Sequence, residues 1–283
     1  MKSAPHLSNI ADRYDAILCD VWGVIRDGHS LLPGAIEALR QFRETRGPVV
    51  LISNAPRPAD DLADQLRQMG APDNAWDAIV TSGDTTRAAL RERTPGKAFF
   101  IGPEARDDVL FDDLDIEFTA LDAAQFVICT GLVDDLTETP ADYADLLASI
   151  RERELDMVCA NPDIVVQWGD RLIYCAGALA RGYAALGGTT IVSGKPHQPI
   201  YDLGLSTLQE CGFTGGRSKI LAIGDGPETD LAGARSFKLD AFFVAGGILG
   251  GDGDLTNLSL ADMDAALAEY GETARWASPS LEW

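Results

Sequence analysis

Short apolar runs alternate with longer amphipathic stretches through most of this chain. Runs of strand length recur at eight places, which are Ala16–Cys19, Val49–Ile52, Ala78–Thr81, Ala98–Ile101, Phe126–Cys129, Met157–Ala160, Ile220–Ile223 and Ala241–Val244. Stretches with apolar residues at helical spacing lie between several of these runs, over Ala35–Thr45, Ala59–Met69, Tyr143–Arg153 and Ile200–Cys211. Such alternation is typical of βαβ units. The pattern predicts an α/β fold in which a parallel sheet is flanked by helices.

Two small polar segments that contain glycine interrupt this pattern. They are Thr81–Asp84 and Gly187–Thr190, and each is a candidate hinge. A chain of 283 residues is long enough for two domains of ordinary size. We therefore expect an inserted domain over residues 84–187 and a discontinuous outer domain formed by residues 1–83 and 188–283.

Composition narrows the class of protein. An apolar fraction of 46% and a charged fraction of 24% are ordinary for a globular protein. The net charge of −21 argues against a nucleic-acid partner and against an anionic membrane surface. The five cysteines are widely spaced and lie mostly in apolar runs, so we expect reduced core residues. Without a leader-like N-terminus or a run of roughly 20 apolar residues, the sequence predicts a cytoplasmic protein that does not enter a membrane.

The first acidic candidate is Asp20, which directly follows the run Ala16–Cys19. An acid at the end of a buried parallel strand projects into the crevice beyond the sheet edge, where open α/β sheets bind their ligands. Asp20 is therefore a candidate nucleophile or metal ligand.

A second acidic cluster follows the run Ile220–Ile223. Asp225 comes first, and Asp230 lies five residues further on. If the two strands are neighbours, Asp20 and Asp225 converge at one edge, where carboxylate oxygens suit Mg²⁺ and Asp230 can orient waters or a lysine. The alternative is that Asp225 and Glu228 only cap the following helix.

A hydroxyl, an amide and a lysine complete the candidate set. Ser53 and Asn54 follow the run Val49–Ile52, where a hydroxyl and backbone N–H groups can hold phosphate oxygens, although a turn is the commoner role of this pair. Lys195 lies between Gly194 and Pro196 in a chain poor in lysine. In such a turn its ammonium can neutralise a phosphate and clustered carboxylates. The alternative for Lys195 is an ordinary exposed side chain.

The order of these residues along the chain, Asp20, Ser53, Lys195, Asp225 and Asp230, resembles the haloacid dehalogenase (HAD) superfamily of phosphohydrolases. The resemblance covers nearly the whole chain. Further segments resemble subfamily IIA, the NagD-like and 4-nitrophenylphosphatase-like hydrolases, and these segments are Thr81-Ser82-Gly83, Asn161-Pro162-Asp163, Gly177-Ala178-Leu179 and Gly194-Lys195-Pro196. The resemblance implies a Rossmann-like core with a parallel sheet and an inserted α/β cap of the C2 type.

The same resemblance implies a mechanism through an aspartyl-phosphate on Asp20. The implied Mg²⁺ ligands are Asp20, the backbone carbonyl of Trp22, and Asp225. The implied phosphate-binding groups are Ser53, Asn54 and Lys195, with Lys195 also catalytic. Asp230 is implied as a residue that orients the lysine or the metal's waters, and Asn161 and Asp163 are candidate substrate contacts from the cap.

Trp22 departs from the family pattern. In the phosphatases that this chain resembles, the first motif is Asp-x-Asp, and Trp22 stands where the second Asp is expected. The missing Asp protonates the leaving group and then activates water, and an indole does neither. Loss of general acid and base catalysis typically costs about 10² to 10⁴ in rate, so we expect weakened turnover and a preference for good leaving groups. Asp27 and His197 are candidate replacements. The indole itself is expected to pack as an aromatic plug beneath the cap.

Three functions are compatible with these residues. The first is a Mg²⁺-dependent phosphatase or phosphotransferase that acts on a small phosphorylated metabolite. The second is a metal-free, dehalogenase-like hydrolase, which also resembles this chain in its aromatic residue at Trp22 but has no need of Asp225. The third is a phosphate-ligand-binding or regulatory protein without turnover. By family analogy, a homodimer is a further expectation.

Overall fold

The computed structural model describes residues 1–28, 30–103, 107–168, 171–247 and 259–283. Within these ranges the chain is an α/β protein with two parallel sheets and one short antiparallel hairpin. None of the described helices is both long and apolar enough to cross a bilayer.

The larger sheet has seven parallel strands. In spatial order they are β1 (Lys2–Ser3), β14 (Trp276–Ser278), β13 (Asp240–Val244), β12 (Ile220–Gly224), β2 (Ala16–Cys19), β3 (Val49–Ser53) and β4 (Ala78–Thr81). The central strands β12, β2 and β3 are buried along their whole length. Such near-continuous apolar strands are expected where helices cover both faces of a parallel sheet.

Helices cover both faces of the seven-stranded sheet. They are α1 (Pro33–Thr45), α2 (Ala59–Gln68), α6 (Gln198–Glu210), α7 (Ala232–Phe237) and α8 (Leu260–Glu269). Ile17 of β2 belongs to the apolar cluster that contains Leu39 of α1. The next residue, Leu18, belongs to the opposite cluster with Ile200 of α6 and Leu267 of α8. Alternation along the strand thus divides the core into two layers.

The second sheet has five parallel strands. In spatial order they are β11 (Thr190–Val192), β8 (Met157–Cys159), β7 (Phe126–Cys129), β5 (Gly96–Ile101) and β6 (Ile116–Phe118). Helices α4 (Ala144–Glu152) and α5 (Ala176–Ala185) pack on one face, where Ile150 and Leu179 share a cluster. Leu90 of α3 (Ser82–Arg91) packs on the other face. The hairpin pairs β9 (Val165–Trp168) with β10 (Arg171–Tyr174).

All eight strands predicted from apolar runs are present, and the four predicted helices are confirmed with small shifts at their ends. The segment Thr81–Asp84 is the start of α3 rather than a bare hinge. Thr81 caps the helix, because its Oγ1 accepts from the Asp84 N–H at 3.0 Å while the Asp84 carboxylate accepts from the Thr81 N–H at 3.0 Å.

The predicted return to the outer domain at residue 188 falls just before β11. Thr190–Val192 pairs with Met157–Cys159, so the five-stranded sheet extends past residue 187. The division of the chain into an outer and an inserted domain stays a prediction at this point.

Parallel strands bring their carboxyl ends to the same edge, and β12, β2 and β3 are direct neighbours. The residues that follow these three strands therefore meet beyond that edge.

Gly233 allows a close approach behind this edge. A Cβ on Gly233 of α7 would lie 2.1 Å from the Tyr201 Oη, and Tyr201 is 2% exposed. The hydroxyl of Tyr201 donates to the backbone carbonyl of Asp230 at 3.3 Å. Helix α7, Tyr201 and the Asp230 turn are thus packed as one unit.

We predict that Gly233→Ala lowers the free energy of unfolding, because overpacking against a buried ring typically costs about 1–3 kcal/mol. Urea denaturation measures the change. Tyr201→Phe removes the closest atom and should recover part of the loss in the double variant. Gly216→Ala is the matched control, since nothing lies within 4 Å of its Cβ position and its φ is −82°. Equal stability of Gly233→Ala and wild-type protein would contradict the packing argument.

Candidate active site

Three carboxylates meet at the edge of the seven-stranded sheet. Asp20 follows β2, Asp225 follows β12, and Asp230 lies in the π-helical turn Pro227–Leu231. One oxygen of each lies within 4.8 Å of the others, and all three residues are buried. The structure therefore brings together the acids that the sequence predicted to converge.

Lys195 lies among these acids. Its Nζ is 2.6 Å from Asp20 Oδ1 and 2.8 Å from Asp230 Oδ1, and the residue is 1% exposed. The alternative of an ordinary exposed lysine is wrong. Burial by itself lowers the pKa of Lys195, but Asp20 and Asp230 raise it well above its usual value, so the side chain remains an ammonium.

Asp20 is held through one oxygen. Its Oδ1 accepts from the Val21 N–H at 2.7 Å as well as from Lys195. Burial and the neighbouring Asp230 raise the pKa of Asp20, and Lys195 opposes the rise. Two of the three carboxylates pair with the Lys195 ammonium, and the third, Asp225, lies beside them.

The donor set fits a hard divalent cation. Carboxylate oxygens are the preferred ligands of Mg²⁺. The backbone around Asp225 also leaves room only for glycine: a Cβ would lie 2.1 Å from Asp225 Oδ2 at Gly23 and 1.9 Å at Gly247. Two backbone segments thus hold this carboxylate close to Asp20. The backbone carbonyl of Trp22 is the third predicted ligand. It lies next to Gly23 in the chain, and so in the backbone segment that packs against Asp225.

Asp225 does not occupy the N-cap position of the turn that follows β12, as the helix-capping alternative would require. Gly226, not Asp225, is the N-cap residue of the turn Pro227–Leu231, and its N–H donates to Asp230 Oδ2 at 3.1 Å. Asp230 therefore has two contacts, because its other oxygen accepts from Lys195. This geometry agrees with the predicted role of Asp230 in orienting the lysine, which stays a prediction.

Asn54 links the end of β3 to two other segments. Its Oδ1 accepts from the Lys195 N–H at 2.7 Å, and its Nδ2 donates to Asp163 Oδ1 at 2.8 Å. Ser53 is 1% exposed, and its Oγ accepts from the Ala55 N–H at 3.2 Å in the local turn. Asn54 thus contacts the backbone of Lys195, and the phosphate-binding role of Ser53 and Asn54 stays a prediction.

Asp163 and Asn161 reach this edge from the segment between β8 and β9. The Asn161 side chain accepts from the Asp163 N–H at 3.1 Å, which fixes the turn that carries Asp163. Burial raises the pKa of the Asp163 carboxyl, while Lys195 and the hydrogen bond from Asn54 oppose the rise. Asp163 thus joins the cluster, whereas Asn161 lines a neighbouring cavity.

Trp22 lines two cavities. We call the first the active-site cavity; it has a volume of about 210 Å³ and is lined by Asp20, Trp22, Asp163 and Asp225 among others. The second, the Trp168 cavity, has a volume of about 130 Å³ and is lined by Trp22, Asn161, Asp163 and Trp168 among others.

The Trp22 ring contacts both an aromatic ring and a cation. Its centroid lies 5.9 Å from that of Trp168 on β9, and the Arg26 guanidinium lies 4.3 Å from the same ring. Arg26 is 6% exposed. Packing of this kind agrees with the predicted aromatic plug. Neither Arg26 nor the contact with Trp168 was predicted; the only signal for Arg26 is a cation directly after the apolar pair Val24-Ile25.

The two predicted replacements for the missing acid lie in different places. Asp27 lines the active-site cavity, but its Oδ1 accepts from the Ser30 N–H at 2.7 Å. His197 precedes α6 and lines a third cavity, the outer cavity, of about 630 Å³. Burial lowers the pKa of His197.

Comparison with known proteins adds independent information on the family. A family model described as haloacid dehalogenase-like hydrolase matches residues 17–117, and a second, described as HAD-hydrolase-like, matches residues 192–270. The chain is 42% identical to a solved hydrolase of the haloacid dehalogenase-like family from Brucella suis 1330. That alignment covers 98% of this chain and 99% of the other, with a TM-score of 0.87.

Two curated relatives are named as phosphatases. D-glycerol 3-phosphate phosphatase of Mycobacterium tuberculosis is 25% identical over 245 residues, which are 86% of this chain and 66%, just under two thirds, of that protein. Ribonucleotide monophosphatase NagD of Escherichia coli K12 is 26% identical over 239 residues, which are 82% of this chain and 88% of that protein. The chain therefore belongs to the haloacid dehalogenase-like hydrolases, and within them it is similar to NagD.

Proposed function

We propose that this protein is a Mg²⁺-dependent phosphatase or phosphotransferase that acts on a small phosphorylated metabolite through an aspartyl-phosphate on Asp20. The observation that carries the proposal is the buried contact of Lys195 with Asp20 and Asp230, beside Asp225. The names of the two curated relatives, a glycerol 3-phosphate phosphatase and a ribonucleotide monophosphatase, support a substrate of this class.

In this proposal each residue acts on charge or position. Asp20 attacks phosphorus, and the fixed ammonium of Lys195 neutralises charge on the phosphoryl oxygens. Ser53 and Asn54 bind those oxygens from the end of β3, and Asp230 keeps Lys195 in place. Phosphoryl transfer depends chiefly on positioning and electrostatic stabilisation, which are the functions that these groups supply.

The residues that would hold Mg²⁺ are Asp20, Asp225 and the Trp22 carbonyl. When bound, the cation supplies charge neutralisation for the transferred phosphoryl group. Support comes from the close approach of the three buried carboxylates and from the glycine-lined backbone around Asp225.

We also infer an inserted cap domain, with one change to its predicted boundaries. Because β11 pairs within the five-stranded sheet, the return to the outer domain is proposed after Val192 instead of at residue 188. The cap then contributes Asp163 to the site, and closure of the cap over the strand ends excludes water.

A second candidate function is a phosphate-ligand-binding protein without turnover, and Trp22 is the observation that favours it. An indole at this position supplies no proton transfer. Such a protein would be stabilised by phosphometabolites without consuming them. The metal-free dehalogenase alternative is disfavoured, because Asp225 is buried against the site without a role in that chemistry. Halide release that is insensitive to chelator would revive it.

We predict that Asp20→Asn abolishes phosphate release from the best substrate in a panel of phosphate esters and acyl phosphates. Asn has the same shape but is not a nucleophile, and loss of a nucleophile costs on the order of 10⁴- to 10⁶-fold in kcat. Acid-quench labelling should detect phosphate on Asp20 of the wild-type protein only. Wild-type turnover without that label, or an active Asp20→Asn variant, would contradict the aspartyl-phosphate.

Removal of Mg²⁺ by EDTA is expected to stop turnover, and re-addition should restore it. Mg²⁺ should also raise the thermal midpoint, since a ligand at 100 times its Kd stabilises the native state by about 2.7 kcal/mol. In Asp225→Asn the Mg²⁺ concentration for half-maximal stabilisation should rise by about 10- to 100-fold or more. Replacement of residues that only support metal ligands already lowers metal affinity by roughly that factor. Asp264→Asn, an exposed acid of α8, is the control. Identical Mg²⁺ titrations of Asp225→Asn and wild type would exclude Asp225 as a ligand.

A further inference from the structure

The proposed reaction needs a proton donor for the leaving group and a proton acceptor for the attacking water. Trp22 supplies neither, because its only polar group is an indole N–H. A replacement must carry a titratable group that faces the active-site cavity. Among the described residues that line this cavity, the carboxyls other than Asp20 and Asp225 are those of Asp27 and Asp163.

The surroundings of Asp27 and Asp163 differ. Asp27 is engaged in its own turn, since Ser30 donates to it through its N–H at 2.7 Å and contacts both oxygens through Oγ at 3.3 Å. Asp163 lines the active-site cavity, the Trp168 cavity and the outer cavity, so it lies where the three meet. His197 lines the outer cavity. Position therefore favours Asp163.

One hydrogen bond orients the Asp163 carboxyl relative to the proposed phosphate site. Asn54 Nδ2 donates to Asp163 Oδ1 at 2.8 Å, and Asn54 Oδ1 accepts from the Lys195 N–H. With Oδ1 accepting, Oδ2 is the oxygen that can carry a proton. The charged groups with the largest electrostatic effect on this carboxyl are Lys195 and Asp230. Burial raises the pKa of Asp163, and a nearby anionic phosphoryl group would raise it further.

We propose that Asp163 is the general acid and base of this enzyme, performing from the segment before β9 the proton transfers that Trp22 cannot. This role rests on the proposed function. In the first half-reaction, an Asp20 oxygen forms a bond to phosphorus, the bond to the leaving oxygen breaks, and the Asp163 proton moves to that oxygen. In the second, water attacks phosphorus, its proton moves to the Asp163 carboxylate, and the bond to Asp20 breaks. Inorganic phosphate leaves, and both carboxyls return to their starting states.

The direction from which Asp163 faces the cavity supports its role as the general acid and base. The attacking and leaving oxygens of a phosphoryl transfer lie roughly in line, so the leaving oxygen points away from Asp20. Asp20 follows β2 of the seven-stranded sheet, whereas Asp163 comes from the chain between β8 and β9 and faces the same cavity. The same face then receives the attacking water, as a single acid and base requires.

Asp163→Asn is the decisive variant, because the amide keeps an acceptor for Asn54 and removes the titratable proton. With 4-nitrophenyl phosphate, whose leaving group needs little protonation, we expect a burst of one 4-nitrophenol per active site followed by slow turnover. With an alkyl phosphate we expect no burst, and kcat should fall by about 10² to 10⁴. Glu117→Gln, an exposed acid on β6, is the control and should behave as wild type.

Restoration of an acid at position 22 separates proton transfer from structure. Trp22→Asp in the Asp163→Asn background should recover at least tenfold in kcat, whereas Trp22→Asn, which removes the same ring, should recover none. Both double variants lose the packing against Trp168 equally.

Three results would overturn the assignment. They are turnover of both substrates by Asp163→Asn at the wild-type rate, slow turnover of 4-nitrophenyl phosphate by that variant without a burst, and equal rates of the two double variants. Each of these requires an active wild-type protein, so each rejects the role of Asp163 alone. A wild-type protein that neither releases phosphate nor becomes labelled on Asp20 would reject the proposed function and this role together.

Discussion

The buried ammonium of Lys195 is the contact on which the rest of the site depends. Burial of a charge costs several kcal/mol, and the cost is recovered only when close partners and hydrogen bonds are present. Here the partners are Asp20 and Asp230, at 2.6 and 2.8 Å. These residues come from three separate parts of the chain: the end of β2, the turn before α6 and the turn after β12. Loss of any one partner leaves an uncompensated buried charge, which typically costs about 3–5 kcal/mol. The cluster therefore ties the topology of the sheet to the chemistry of the site.

Much of this arrangement could be predicted from the sequence, because it follows from the geometry of parallel sheets. Asp20 and Asp225 each follow an apolar run, and such runs become neighbouring central strands whose ends meet. The eight strands were predicted for the same reason: strands covered on both faces are continuously apolar. Short strands such as Thr190–Val192 and Ile116–Phe118 were missed, since they are partly exposed and carry no such run. Helix α5 was missed as well, because its small residues, Ala176–Ala185, give little contrast between faces.

Contacts between distant segments could not be predicted. The hydrogen bond from Asn54 to Asp163 joins residues 109 positions apart, and Trp22 packs on Trp168 across a still longer separation. Nothing in local periodicity encodes which loop of one sheet faces which strand end of another. The sequence identified Asp163 only through resemblance, as a substrate contact. Its partial burial, its partner and its place at the junction of three cavities are properties of the folded chain.

Trp22 and Asp163 together change what closure of the proposed cap accomplishes. Where the nucleophile and the acid are two residues apart, both belong to the strand end and keep their relative positions whatever the cap does. In the proposed arrangement the nucleophile lies on the seven-stranded sheet, and the proton-transfer group arrives with the segment before β9. The Asn54–Asp163 hydrogen bond and the packing of Trp22 on Trp168 then hold the acid in reach of the leaving oxygen. Closure thus becomes part of the catalytic constellation as well as a means of excluding water. The aspartyl-phosphate would be hydrolysed only in the closed form, because only there does the Asp163 carboxyl face the attacking water.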